Sequence, residues 1–189
     1  MRLFIAINLP EQTKNLLADK VSILQREIRG NLKWVEKNNW HLTLKFLGET
    51  KENQIKMIKK TISTLADKWQ QAPLQFRGIA AFPHLNNPRV IFIGTEEGRD
   101  LVTGIQADLE AEIVKCGFQA ENRPYHPHLT LARSRRNTDM KKIARKLKRY
   151  TDPNFINIYM QVEKISLMKS ELHPEGPVYE ELFSAYLQE

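Results

Sequence analysis

The tetrad His-Leu-Thr-Leu occurs twice in this chain of 189 residues, at 41–44 and at 128–131. Both copies alternate polar and apolar residues as a half-buried strand does. Side chains alternate across a strand. His41, Thr43 and Lys45 therefore share one face, and Leu42, Leu44 and Phe46 the other. In the second copy His128 and Thr130 oppose Leu129 and Leu131. The leucines anchor each strand in a core, and the imidazole and hydroxyl point outward or into a cleft.

The surroundings repeat as well. Each copy follows a helical segment and precedes another helix and a pair of strands. Phe82 follows His41 by 41 positions, and Met168 follows His128 by 40. Residues 2–8 read as a buried strand. Pro10 opens a helix with Leu16, Leu17, Val21, Leu24 and Ile28 at helical spacing, and Gly30 lies past its end. LKWV is a short strand, and 52–70 are a second helix. LQFRGIAAF and RVIFIGT form a hairpin about HLNNP. Residues 98–115 and 138–149 are two more helices. INIYMQVEKISLMKS and VYEELFSAYL read as two strands about the turn HPEGP. No stretch has the Gly/Ser/Pro content of an interdomain linker. The expectation is an α+β, two-lobed duplicated fold over 1–189, with halves about 1–95 and 96–189. Antiparallel sheets would line a central cleft, with helices packed outside and an approximate twofold axis. A monomer is expected.

Two imidazoles facing one cavity suit phosphodiester cleavage. Histidine titrates near neutral pH. One neutral ring can take a proton from the attacking hydroxyl while a protonated ring gives one to the leaving oxygen. Threonine hydroxyls two residues along can donate to the phosphate oxygens between them. Cys116 is the single cysteine, and no HxxxH or HExxH spacing occurs, so no metal and no cofactor is expected. The charge of +7 favours a polyanionic partner. Arg133, Arg135, Arg136, Lys141, Lys142, Arg145, Lys146, Lys148 and Arg149 stand against one acid, Asp139, in that segment. The bland reading is a solvated helix face, and the sharper one a landing strip for nucleic acid. No run approaches the length of a membrane span, and MRLFIAINLP is too short for a secretory signal. A cytoplasmic protein that binds no membrane is the expectation.

With RLFIAINLP, HLTLKFLGET, GIAAFP…PRVIFIG, RPYHPHLTLAR and SELHPEGPVYEEL in this order, the chain resembles the 2H phosphoesterases, named for two HxTx motifs. Within them it looks like the RNA 2',3'-cyclic phosphodiesterases, also known as 2'-5' RNA ligases. The resemblance implies opening of a terminal RNA 2',3'-cyclic phosphate to a 2'-phosphate, with tRNA fragments among the partners. It also implies, for some members, 2'-5' joining of tRNA halves. It implies His41 as proton donor to the leaving 3' oxygen and His128 as the base that activates water. Thr43, Thr130 and Arg133 would hold the phosphate. Arg133 stands five positions from His128, so simple alternation puts it on the leucine face. It reaches phosphate only if the strand bends, bulges or ends near Ala132.

Lys45 has the right parity for the cleft, and Phe82 can stack a terminal base; both are candidate substrate contacts. His126, His84 and His173 read as loop residues. Trp40 reads as a wedge in the lobe contact, and Tyr179 as structural. The competing functions are a 2H phosphoesterase acting on 2'-5' oligoadenylate or cyclic ADP-ribose phosphate, and a non-catalytic nucleotide- or RNA-binding module.

Overall fold

The computed structural model describes residues 1–174 and 176–189; Glu175, within the expected HPEGP turn, lies outside the described residues. Among the described residues, nine strands and four α-helices follow in order. They are β1 (Arg2–Asn8), α1 (Glu11–Glu27), β2 (Leu32–Trp34), β3 (His41–Glu49), α2 (Glu52–Ala66), β4 (Ala72–His84), β5 (Asn87–Thr95), α3 (Arg99–Lys115), β6 (His128–Ser134), α4 (Met140–Leu147), β7 (Asn157–Val162), β8 (Lys164–Leu172) and β9 (Pro177–Tyr186). The helices form where apolar residues recur at helical spacing. Leu17, Val21 and Leu24 bury one face of α1, and Ile58, Ile62 and Leu65 one face of α2. Local bonds fix the starts: Gln54 accepts from the Lys51 amide before α2, and Asp139 accepts from the Lys142 amide at α4.

The strands make a four-stranded sheet, β3-β1-β8-β9, and a five-stranded sheet, β2-β6-β5-β4-β7. All pairings within both are antiparallel. Each motif strand lies beside a buried central partner, β3 beside β1 and β6 beside β5. Helices cover the outer faces: α2 packs on β8 and β9, α4 on β5, and α1 against β7. One continuous core runs from Leu3, Ile5 and Ile7 through Leu42 and Leu44 to Ile91, Ile93, Leu129 and Leu131.

The lobes are not successive halves of the chain. β4 follows the first motif and its helix, yet joins the sheet that holds the second motif. β8 follows the second motif, yet joins the first motif's sheet. INIYMQVEKISLMKS, read as one strand, is two. It breaks at Glu163, with β7 pairing β4 and β8 pairing β1. Glu163 and Lys164 interrupt the apolar alternation there, but a bulge within one strand would leave the same mark.

Both motif strands bulge at the same letter. In β3 the register passes from Ala6↔Thr43 to Ile5↔Lys45, leaving Leu44 unmatched. In β6 it passes from Phe92↔Thr130 to Ile91↔Ala132, leaving Leu131 unmatched. A one-residue slip reverses every later side chain. Leu44 and Lys45 are consequently buried in succession, as are Leu131 and Ala132. Arg133 returns to the face of His128 and is exposed. Phe46, expected in the core, emerges on the face of His41 at 68% exposure.

Lys45 is the converse correction. Only 8% exposed, it points away from the cleft. Its Nζ donates to Glu110 Oε1 of α3 at 2.7 Å and to the Gln119 carbonyl at 2.8 Å. It ties a helix and a loop to the sheet and does not reach the cleft. Lys45→Met leaves Glu110 half-desolvated without its cation and is expected to cost about 2 kcal/mol of stability in urea unfolding. Turnover per folded molecule should stay within about twofold of wild type, well short of the ~10²-fold loss expected of a proton-transfer group.

Candidate active site

Each motif begins its strand with the histidine, so the ring sits where the backbone enters the sheet. The turn Lys37–Asn39 precedes β3 and brings the Asn39 carbonyl up to the ring. His41 Nδ1 lies 2.7 Å from that Asn39 carbonyl. His128 Nδ1 lies 2.6 Å from the His126 carbonyl, the same two-residue step back. A carbonyl only accepts, so each Nδ1 carries the hydrogen and each neutral ring has its lone pair on Nε2. The hydroxyl of Thr43 donates to His41 Nε2 at 2.9 Å. These anchors are themselves held. The Asn39 side-chain amide donates to the Pro177 carbonyl at 2.8 Å, and the Thr95 hydroxyl to the Pro127 carbonyl at 3.3 Å.

Aromatic rings wall both imidazoles. Phe4 lies 4.8 Å from His41, and Tyr179 stands edge-on to it at 5.3 Å. Phe82 and Phe92 stand edge-on to His128 at 5.2 and 5.1 Å. Phe82 also stacks on Phe92 at 4.3 Å, which occupies one of its faces. The strand exchange explains this placement: Phe82 lies downstream of His41 in the chain but beside His128 in space.

The two motifs meet across the cleft. Tyr125, three residues before His128, donates its hydroxyl to the Thr43 carbonyl at 3.0 Å. The Val35 amide, past the end of β2, donates to the Leu131 carbonyl at 2.8 Å. Trp40 is 3% exposed, and its indole donates to the Val35 carbonyl at 3.1 Å, a buried residue at the crossing between the sheets.

Burial dominates the electrostatics. It drives His41 down from 6.5 to about 4. The Asn39 bond opposes this, while the positive Lys14, Arg133 and the nearby His128 add to it. His128 is lowered as well, first by burial, against its bond to the His126 carbonyl, and further by Arg133 and His126. Burial raises the Tyr125 phenol, which stays a donor.

Among the sites read from sequence, His41, Thr43, His128, Thr130, Arg133 and Phe82 lie on the cleft faces. Lys45 does not. Three contributors carry no mark in the sequence. Phe4 and Phe92 read simply as strand residues, because their partners belong to other strands. Lys33 pairs in register with Arg133 on the same face of the sheet. Like charges directly across a strand pair are unfavourable, and no described carboxylate forms an ion pair with either. Tyr179, read as structural, touches the His41 ring. A depression of about 670 Å³ lies elsewhere: Asp67, Lys68, Trp69, Gln188 and Glu189 line it, and neither motif does.

Two antiparallel sheets carrying a histidine–threonine pair on each of two motif strands define a 2H phosphoesterase. The chain belongs to the 2'-5' RNA ligase superfamily, whose family model matches residues 18–174. It is 35% identical to the RNA 2',3'-cyclic phosphodiesterase of Methanocaldococcus jannaschii, over 95% of this chain and 97% of that one. It is 29% identical to the protein of the same name from Bacillus subtilis, over 97% and 95%. A crystal structure from Thermus thermophilus superposes with a TM-score of 0.81 at 29% identity, covering 100% of this chain and 98% of that one. Escherichia coli LigT complexed with 3'-AMP shares the fold, with a TM-score of 0.77 at 23% identity and the same coverage.

The depressed His41 pKa makes stability depend on pH. Between 6.5 and about 4 the unfolded chain binds a proton that the folded His41 refuses. Stability therefore falls as pH drops through that window. Urea unfolding of wild type and His41→Gln across pH 4–7 should give a shallower slope in the variant; equal slopes would place His41 in an ordinary solvated state.

Proposed function

We propose that this chain hydrolyses the 2',3'-cyclic phosphate at the end of an RNA to a 2'-phosphate, by histidine acid–base catalysis and without a metal. The observation that carries the reading is the matched pair of imidazoles. Each has Nδ1 bound to a carbonyl two residues back, which leaves Nε2 for proton transfer. His128 takes a proton from water as its oxygen attacks phosphorus. The bond to the 3' oxygen breaks, and His41 gives that oxygen a proton. The phosphate stays on the 2' oxygen. Thr43, Thr130 and Arg133 donate to the non-bridging oxygens, where charge accumulates. A 5'-hydroxyl in place of water gives a 2'-5' linkage by the same proton transfers.

His41 at about 4 is neutral near pH 7 in the free protein. The donor role therefore requires the anionic phosphate, whose charge favours the imidazolium. The alkaline limb of kcat, which reports the complex, should lie at higher pH than that of kcat/KM, which reports the free protein. Coincident limbs would remove the phosphate-assisted donor.

The exposed basic face of α4, with Arg135 and Arg136 leading from the cleft, supports a longer RNA over a small nucleotide. Replacing Lys142, Arg145 and Lys146 together should weaken long substrates and flatten their salt dependence, while sparing a cyclic mononucleotide. Equal loss on both would take the RNA role from this helix. Product analysis on RNA ending in 2',3'-cyclic phosphate tests the reaction itself. A 2'-phosphate is expected, with turnover unchanged by EDTA and lowered ~10²-fold or more by either His→Ala change. A 3'-phosphate product, or loss of activity with EDTA, would overturn it.

A further inference from the structure

We propose that the turn at 134–139, with Lys33 beside it and α4 beyond it, docks the base-paired stem of the RNA whose 3' end enters the cleft. This rests on the reading of the substrate as an RNA that ends in a cyclic phosphate. It adds the form of that RNA and the segment that holds it.

The turn is built to keep its shape. Asn31, just before β2, binds it at several points. The Arg135 amide donates to the Asn31 carbonyl at 2.9 Å, and the Thr138 hydroxyl to the same oxygen at 2.7 Å. The Asn31 side-chain amide donates to the Arg136 carbonyl at 2.8 Å. Asn137 takes a φ of 63°, in the left-handed region that asparagine tolerates. Asp139 then caps α4 by accepting from the Lys142 amide. The bonds to residues 135 and 136 use backbone atoms alone. Both guanidinium groups are thus exposed and carried on a fixed backbone.

The charge along this path is unopposed. It begins at the cleft, where Lys33 and Arg133 pair across β2 and β6. Arg135 and Arg136 follow, then Lys141, Lys142 and Arg145, all exposed on α4. Among the described residues none of these forms an ion pair, whereas elsewhere Lys68 pairs with Asp108 and Lys164 with Glu181. Such a row fits a chain of phosphates, which arginine binds through a planar fork.

The path also lacks exposed rings. Proteins that hold single strands set aromatic faces among their cations. The exposed aromatics Phe46, Tyr159 and Tyr186 lie on β3, β7 and β9. Tyr150, at the far end of the path, packs on Phe155 at 5.0 Å and against the core. A duplex keeps its bases inside and presents phosphates and 2'-hydroxyls in a fixed shape. Rigid arginines without stacking platforms match that presentation. The path leaves the cleft beside the edge strand β2, so the stem stays outside while the 3' end reaches Arg133.

Fluorescence anisotropy with two RNAs of equal length tests this without turnover. One is a hairpin with a short 3' overhang, the other an unstructured oligouridine, and both end in a 2'-phosphate. Wild type should bind the hairpin about tenfold more tightly. Arg135→Gln with Arg136→Gln should lose that preference, and the slope of log Kd against log salt should fall by about two on the hairpin. The corresponding pair of Arg→Lys changes should keep most of the slope. Thermal midpoints check that both variants fold. Equal wild-type affinity for the two RNAs, an equal loss on both in the glutamine variant, or binding of phosphatidylserine vesicles as tight as that of the hairpin would overturn the stem site. A hairpin preference that depends on the two arginines, in a protein that turns over no cyclic phosphate, would leave the stem site standing and remove the reaction. Turnover of both RNAs with no such preference would do the reverse.

Discussion

The cleft depends on the leucine left unmatched at the fourth letter of each motif. Leu44 and Leu131 each slip the pairing by one residue, so the strand buries two side chains in succession. The slip sets the direction of the side chains just beyond it, and β3 slips a second time at Leu47. Arg133 turns toward the histidines, Lys45 turns into the outer layer against Glu110, and Phe46 leaves the core for the open face. Without the bulges the two strands would carry the histidines and threonines on the cleft face but not the arginine.

Exchange of strands between the lobes supplies the rest of the site. His128 is walled by Phe82 and Phe92 from the other half of the chain, and His41 by Phe4 from its own half together with Tyr179 from the other. Phe82 reaches His128 from the strand after the first motif, and Tyr179 reaches His41 from the strand pair after the second. Tyr125 then binds the first motif's Thr43 carbonyl from the approach to the second. Opening the cleft would break these contacts together, so the two imidazoles are held by the same packing that closes the core. That packing also dries them, which is why both rings resist protonation.

Much of this was legible in the sequence, and the limits have physical causes. Helices α1 to α4 follow from apolar spacing, because a buried stripe needs it. His41, Thr43, His128 and Thr130 follow from alternation, because they precede the bulge. Arg133 and Lys45 lie after it, where alternation gives the opposite face; the parity objection to Arg133 named the missing bulge, and the same bulge removes Lys45. The change of sheet at Glu163 left only the charged pair Glu163–Lys164 between apolar neighbours, which a bulge within one strand would also leave. Phe4, Phe92 and Lys33 act across strand pairs, and such partners are set by topology rather than by neighbours in the chain.

The division of labour between the histidines is tested most directly with a substrate whose 3' bridging oxygen is replaced by sulfur. A thiolate leaves without needing a proton. Turnover of this substrate by His41→Ala should recover toward the wild-type rate, while His128→Ala should stay impaired. Recovery in His128→Ala, or none in either variant, would contradict the assignment of His41 as the acid and His128 as the base.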